Sequence, residues 1–348
     1  MKHMDVLTIL LLAFFLCDFS YEYDYRKQIS INEKLSYNNL LELRGILSLV
    51  VIIHHLYVNY VSDRSVIGEV FSHLGYLCVG CFLFMSGLGL AYNQRSKGRI
   101  YLNTIPAKIK YFLCVYFATN VIYFILSPLY ASYSDNWALF WNGLINGSPL
   151  AGSSWYLLDV IFLYLIFFVA NRFLKYTLQN ICYIFLFVGL LLLYWLADFP
   201  LIWSISNLSF LVGILVGNYL NNNKDFHISI CKILVSCAIL FLAFSIVSLF
   251  PSIIRRGKYL CTILSVPIFS LLVILIYCLF IPQKRLFSWI GKHGLEIFLI
   301  HVVVYKMLRG NVVYISSDFI FSFLSIIISL LFSIPFGKFN KLLAQLVR

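Results

Sequence analysis

Two residues whose side chains could do chemistry lie in one apolar segment, Leu43 to Tyr57. Arg44 is near its start, and His55 follows further in, directly after His54. Ionisable side chains are costly inside a bilayer, so such residues mark candidate functional sites. At about 1.5 Å per helical residue, Arg44 and His55 are roughly 16 Å apart, about half of a hydrocarbon core. If Arg44 lies at one membrane face, we expect His55 near the midplane.

An imidazole changes charge near neutral pH, so His55 is a candidate general base toward a hydroxyl group. His54 lies about 100° around the same helix, so the two rings cannot face one cavity equally. We therefore expect one of them to serve in packing or hydrogen bonding. For Arg44, the alternative to a site role is a topological anchor whose side chain reaches the headgroups.

A second dense group lies in the segment from Ser288 to Tyr305, with Lys292, His293, Glu296 and His301. Glu296 follows Lys292 and His293 by about one turn, so a structural ion pair is the alternative to a catalytic role. His301 lies deeper and has no acid at helical spacing, so it is the stronger catalytic candidate of the two histidines.

Asp159 lies about one turn inside a predicted helix that opens near Trp155. It could orient His55, as an acid orients the base of a hydrolytic triad. The alternative is an interfacial carboxylate in water. We take Asp159 and Trp155 as candidate substrate-binding residues.

Basic residues cluster after the second apolar run, in what we call the basic segment: Arg95, Lys97, Arg99, Lys108 and Lys110. They could fix membrane topology, because Lys and Arg accumulate in cytoplasmic loops. They could equally neutralise the phosphates of a nucleotide-bearing donor. Arg44, Arg95, Arg99, Lys108 and Lys110 are the candidate donor-binding residues.

Composition points to an all-α integral membrane protein. Of the 348 residues, 61% are hydrophobic and 11% are charged, far from the values of soluble domains. The net charge of +12 is better explained by topology than by nucleic acid, because the bases lie between apolar runs. The nine cysteines fall almost entirely in apolar runs, so we expect neither a disulfide framework nor a metal site.

Apolar runs predict about ten membrane helices, over residues 40–60, 70–93, 106–127, 155–171, 181–197, 202–220, 230–250, 259–281, 287–308 and 318–336. We divide the chain into an N-terminal segment, 1–37, a membrane domain, 38–337, and a short basic cytoplasmic tail, 338–348. The apolar stretch 5–17 is a signal-like anchor, an interfacial helix or an upstream extension.

The distribution of bases places both ends of the membrane domain in the cytoplasm. Arg255, Arg256 and Lys258 would then face outward, so they mark either a basic patch for an anionic substrate or a miscounted helix. We expect residues 130–154 to form an outer loop with a functional role, because loops of that length usually have one.

Four motifs, in this order, resemble the acyltransferase-3 family of polytopic membrane acyltransferases over residues 38 to 337. They are Arg44 with His55, GCFLFMSG from Gly80, WYLL from Trp155, and IGKHGLEIFLIH from Ile290 to His301. The resemblance implies ten helices and transfer of an acyl group, most often acetyl, from cytoplasmic acyl-coenzyme A. The implied acceptor is a hydroxyl of a surface polysaccharide or of its lipid-linked precursor.

The resemblance also implies residue roles. Arg44 and His55 match the family's essential first-helix pair. The family's closely spaced arginines before the third helix are replaced by Lys108 and Lys110, which lack the bidentate fork of arginine. An acidic residue of the family's second motif is absent, since Gly80 or Cys81 stands there.

The sequence therefore predicts a multi-pass O-acyltransferase of the cell membrane that uses acyl-coenzyme A and no metal. Arg44 and the basic segment would hold the donor's phosphates, while His55 deprotonates the acceptor hydroxyl or relays the acyl group. His301 and Glu296 would support the site. The alternative is a polysaccharide transporter or polymerase without acyl chemistry. The lack of arginines in residues 130–154 favours the acyltransferase.

Overall fold

The computed structural model describes residues 20–21, 28–61, 66–131, 133–146, 148–174, 176–200, 202–223, 226–253, 258–281 and 285–347. The predicted apolar stretch 5–17 lies outside these residues, as do Arg255, Arg256 and the side chain of Lys258.

Helices make up most of the described chain. In order, they are α1 Ile31–Lys34, α2 Tyr37–Asn59, α3 Val66–Ser72, α4 Gly75–Leu102, α5 Ile105–Leu126, α6 Tyr133–Ile145, α7 Trp155–Phe173, α8 Tyr176–Leu196, α9 Ile202–Ile205, α10 Asn207–Asn222, α11 Ile230–Ile253, α12 Lys258–Leu279, α13 Arg285–Lys292, α14 Gly294–Leu308 and α15 Asp318–Val347. Short strands pair antiparallel, β1 Ser20–Tyr21 with β4 Phe280–Ile281 and β2 Gln28–Ser30 with β3 His227–Ser229.

The all-α membrane architecture is confirmed. Within the described ranges, nine helices are long and apolar enough to cross a membrane. Helices α13 and α14 make a tenth span if this pair, bent by 76°, counts as one. Each predicted apolar run coincides with one of these spans, because long apolar segments can satisfy their backbone groups in lipid only as helices.

The structure differs from the sequence prediction in two segments. Residues 130–154 were expected to be a loop, but they contain helix α6, whose Trp137 and Trp141 are exposed and whose Phe140 is buried beside Phe124. Phe140 packs against Phe124 of α5, so a tertiary contact holds this helix in place. The last helix also continues through Val347, beyond its predicted end at Phe336 and along the predicted tail.

The bundle has two distinguishable ends. Helix α2 runs from the end near Arg44, the arginine end, to the end near His55, the histidine end. At the arginine end, Ser288 Oγ donates a hydrogen bond to Glu42 Oε1 over 3.1 Å. At the histidine end, Arg309 binds the carbonyl of Tyr60 and the carboxylate of Asp318. These bonds join α13 and α14 to the two ends of α2.

Helices α2 and α13 approach each other so closely that only glycine fits at the contact. A Cβ atom at Gly291 would lie 1.8 Å from the Leu41 carbonyl oxygen, and one at Gly45 would lie 2.1 Å from that of Phe287. Small residues allow this close packing of membrane helices. The contact fixes the two neighbours of these glycines, Arg44 and Lys292, at one place in the bundle.

We expect Gly291→Ala to destabilise the protein by about 1–3 kcal/mol, because the added methyl group pushes α13 away from α2. Thermal unfolding of the purified protein in detergent measures the change. Gly189→Ala is the matched control, since a Cβ atom there meets no atom within 4 Å. Equal unfolding temperatures for the two variants would contradict the close contact.

Candidate active site

Arg44 and His55 lie on the same face of helix α2. Eleven residues at about 100° each bring the helix back to within roughly 20° of its starting direction. Ser48 and Val51 complete this face, and Ser48 Oγ donates a hydrogen bond to the Arg44 carbonyl over 2.8 Å. Because α2 begins two turns before Arg44, His55 lies one turn from the histidine end of the helix. Its expected depth near the membrane midplane stays a prediction.

A cavity of about 430 Å³ opens beside His55, and we call it the histidine cavity. His54, His55 and Asn59 line it from α2, and Trp155 and Trp203 line it from α7 and α9. Part of the predicted outer loop, including Ser148 and Ser153, closes one side. The predicted substrate-binding residue Trp155 therefore borders a cavity shared with both histidines.

The two adjacent histidines have different environments. His54 Nδ1 lies 3.1 Å from the Phe71 carbonyl oxygen, and its ring lies against Gly75, where a Cβ atom would approach to 2.3 Å. A carbonyl only accepts, so His54 Nδ1 carries a proton that it donates. The centre of the His55 ring lies 4.9 Å from that of His301. His54 is thus held by packing and a hydrogen bond, while His55 faces a second imidazole.

His301 is completely buried behind His55. Its Nδ1 lies 3.1 Å from the Ile297 carbonyl oxygen, so Nδ1 carries the proton and Nε2 has a lone pair. Within the described structure, Nε2 has no hydrogen-bond partner. A buried acceptor without a donor costs about 1–3 kcal/mol. His301 is not among the residues lining the histidine cavity, so it can influence a substrate there only through His55 or a bridging hydroxyl.

A second cavity, of about 260 Å³, opens on the arginine end, and we call it the arginine cavity. Arg44 and Lys292 line it together with Tyr37, Ser86 and Tyr164. Among the described residues, neither cation forms an ion pair with a carboxylate. The cavity therefore carries two positive charges suited to an anionic ligand.

The place of Lys292 in this cavity was not predicted from the sequence. The structural alternative, an i,i+4 ion pair of Lys292 with Glu296, needs a continuous helix. The structure breaks the helix at His293, between α13 and α14. Gly291 and Gly294 flank the break, and these glycines are the signal from which it could have been predicted.

An aromatic partition separates the two cavities. Phe298 lines both of them, and its ring centre lies 5.2 Å from that of Tyr156. At the start of α7, Trp155 faces the histidine cavity while its neighbour Tyr156 faces the arginine cavity. Ligands in the two cavities would therefore meet at Phe298.

Glu296 is not brought to either cavity. Its Oε1 accepts a hydrogen bond from Asn340 Nδ2 over 3.2 Å, which joins α14 to α15. Glu296 and Phe298 are about 200° apart around α14. The Glu296 side chain therefore lies on the side of the helix opposite to Phe298, which lines the cavities. Glu296 therefore joins two helices. It neither supports His55, as predicted, nor pairs with Lys292, which was the alternative.

Asp159 also lies away from both cavities. It is completely buried, and its Oδ1 accepts hydrogen bonds from Tyr194 and Asn207, each over 2.8 Å. The expectation of an interfacial carboxylate in water is wrong, because α8 and α10 cover the side chain. The contact with His55 is not formed either. Asp159 instead joins three helices through buried hydrogen bonds.

We expect Asp159→Leu to lower the unfolding free energy by about 1–3 kcal/mol for each donor left unpaired, on Tyr194 and Asn207. Asp159→Asn keeps an acceptor oxygen in place and should unfold near the wild-type temperature. Thermal unfolding in detergent compares the two. An Asp159→Asn variant that is folded but inactive would contradict this purely structural assignment.

The basic segment lies at the arginine end but outside the arginine cavity. Arg95, Arg99 and Lys110 are exposed. Lys108 is half-buried, and its Nζ donates a hydrogen bond to the Tyr101 hydroxyl over 2.8 Å. Lys108 precedes the cavity residue Phe112 by about one turn of α5, so it lies nearer the end of the bundle on that face.

A family model described as an acyltransferase domain, that of acyltransferase-3, matches residues 41–338. The chain belongs to this family. No curated protein and no solved structure matched it in comparison. The family match covers Arg44, His55 and every lining residue of the two cavities except Tyr37, so the chain is a multi-pass membrane acyltransferase. The alternative of a transporter or polymerase without acyl chemistry is thereby set aside.

Proposed function

We propose that this acyltransferase moves an acyl group, most simply acetyl, from acyl-coenzyme A to a hydroxyl of a surface polysaccharide or its lipid-linked precursor. The observation that carries the proposal is the pair of cavities on opposite sides of Phe298, one with Arg44 and one with His55. Donor and acceptor enter from different ends and react at the partition.

The donor would occupy the arginine cavity. Arg44 and Lys292 supply positive charge for its phosphates, and the exposed Arg95, Arg99 and Lys110 lie at the same end. A cavity of about 260 Å³ suits the thioester arm better than the whole nucleotide, which would remain outside among these bases. About 16 Å separate Arg44 from His55 along α2, so a long, flexible arm must bring the thioester to the partition.

The acceptor would occupy the histidine cavity, where the indole rings of Trp155 and Trp203 form a surface for the apolar faces of a sugar. His55 takes the proton from the hydroxyl as its oxygen forms a bond to the thioester carbonyl carbon. The carbon–sulfur bond then breaks, and the leaving sulfur takes that proton from His55. His301 holds the His55 ring in position.

The distribution of charge supports one orientation in the membrane. The basic segment and Arg172 lie at the arginine end, and cytoplasmic loops carry an excess of lysine and arginine. We assign the arginine end to the cytoplasm, where acyl-coenzyme A is available, and the histidine end to the outer side of the cell membrane.

Release of free thiol from acetyl-coenzyme A tests the function. Membranes that contain the protein should release thiol in a manner that depends on added glycan acceptor, and membranes without it should not. Thiol release that does not depend on the acceptor would indicate hydrolysis of acetyl-coenzyme A and would contradict the proposal.

Lys292→Gln should raise the donor KM by about tenfold, because a hydrogen bond to a charged group contributes about 1.5–3 kcal/mol. The acceptor KM should stay unchanged, since Lys292 lines only the arginine cavity. Steady-state kinetics with each substrate varied in turn separate the two effects. An increase confined to the acceptor KM would remove Lys292 from the donor site.

A further inference from the structure

A third cavity, of about 600 Å³, lies on the outer surface of the bundle between α5, α14 and α15, and we call it the apolar groove. Its wall consists of apolar side chains: Ile122, Leu126, Ile300, Val303, Val304, Met307, Leu308, Ile328, Phe332, Pro335, Phe336 and Phe339. Phe332 and Phe339 are partly exposed, so the groove opens toward the hydrocarbon of the bilayer. From Ile328 to Phe339 it extends about 16 Å along α15.

Lys306 lies at the histidine end of this groove, between groove residues of α14. Its Nζ is 5.2 Å from the ring centre of Tyr130 and 5.9 Å from that of Tyr123. In the described structure Lys306 has no carboxylate partner, and the nearby acid Asp318 is bound by Arg309. A half-buried ammonium group held by aromatic rings but by no anion is suited to bind one.

Tyr130 adds no negative charge to this place. Its hydroxyl donates a hydrogen bond to the Tyr123 carbonyl over 2.9 Å. Burial raises the pKa of the Tyr130 phenol to about 12, so it stays neutral at physiological pH. The positive charge of Lys306 is therefore not cancelled by its aromatic neighbours.

The groove is continuous with the wall of the histidine cavity. One apolar cluster contains Tyr123, Ala151 and Val303, with Val302 and Met307 packed against it. Val302 lines the histidine cavity, and its neighbour Val303 lines the groove. Lys306 lies one turn beyond both on α14, so a ligand at Lys306 would lie beside the wall of the His55 cavity.

We propose that the apolar groove and Lys306 bind a membrane lipid phosphate that carries the acceptor glycan, with its single long chain in the groove and its phosphate on Lys306. The glycan then extends over the end of α14 into the histidine cavity. This inference rests on the proposed function and selects, of the two acceptors, the lipid-linked one.

We assign one extended lipid chain to the groove between α14 and α15, and the phosphate that this chain carries to Lys306. A lipid phosphate lies at the membrane surface, which is the level of Lys306 near the end of α14. A polyprenyl phosphate combines these two features, so it is the probe of choice.

Binding can be measured without catalysis, by native mass spectrometry of the full chain titrated with a polyprenyl phosphate. We expect Lys306→Gln to weaken binding about tenfold, which corresponds to about 1.4 kcal/mol. Lys341→Gln is the matched control, because Lys341 is exposed near the opposite end and its loss should change nothing. Val303→Trp fills the groove and should weaken binding while Lys306 remains.

Equal affinities of wild type and Lys306→Gln would overturn the proposal, as would an equal affinity for phosphatidylglycerol, which would indicate a general lipid site. Acyl transfer gives a second readout: Lys306→Gln should impair transfer to a lipid-linked glycan and spare transfer to the same glycan without lipid. Lys306-dependent binding in a protein that transfers no acyl group would refute the proposed function and leave the lipid site standing.

Discussion

Replacing His55 with alanine is expected to lower acyl transfer by about 10²–10⁴-fold, the usual contribution of a general base. The variant should reach normal membrane levels, because His55 borders a cavity and the alanine leaves helix α2 intact. Rates of glycan acylation, divided by the amount of folded protein, measure the effect. Donor KM should remain near its wild-type value, since Arg44 and Lys292 lie in the other cavity.

His54→Asn is the matched control for this variant. An asparagine amide can still donate to the Phe71 carbonyl that His54 contacts. The control should therefore keep most of the activity. Full activity in His55→Ala, or a larger loss in His54→Asn, would show that the base is not His55.

Arg44→Gln should raise the KM for acyl-coenzyme A by about 10- to 100-fold, because a hydrogen bond from a charged group to a phosphate contributes about 1.5–3 kcal/mol. Arg44→Lys should fall between this variant and wild type, since lysine keeps the charge but lacks the bidentate fork. Steady-state kinetics at saturating acceptor measure both.

Lys341→Gln removes one charge at the same end from an exposed position outside the arginine cavity. This variant shows how much the donor KM changes when the arginine end loses one positive charge outside the donor site. A donor KM that is equal in Arg44→Gln and Lys341→Gln would mean that Arg44 only anchors the helix in the membrane.

The membrane helices could be predicted because long apolar runs have few other stable forms in lipid. The break at His293 and the helix α6 could not be predicted in the same way. The break depends on the contact of Gly291 with α2, and α6 on the packing of Phe140 against Phe124. Both are set by tertiary neighbours rather than by local hydrophobicity.

The common face of Arg44 and His55 could be read from their spacing, because both lie on one uninterrupted helix. The contacts between different helices could not be predicted from spacing. One sequence does not give the rotation of α14 about its axis, which turns His301 toward His55 and Glu296 toward Asn340. It likewise does not show that Phe298 borders both cavities.

Transfer across the partition is the central claim, and sealed proteoliposomes test it most directly. Isotopically labelled acetyl-coenzyme A is supplied on the side of the arginine end, and glycan acceptor on the other side. Mass spectrometry should find the label on a glycan hydroxyl, with one free thiol formed per group transferred, and neither product in His55→Ala. Transfer that occurs only when donor and acceptor share one side would contradict the account.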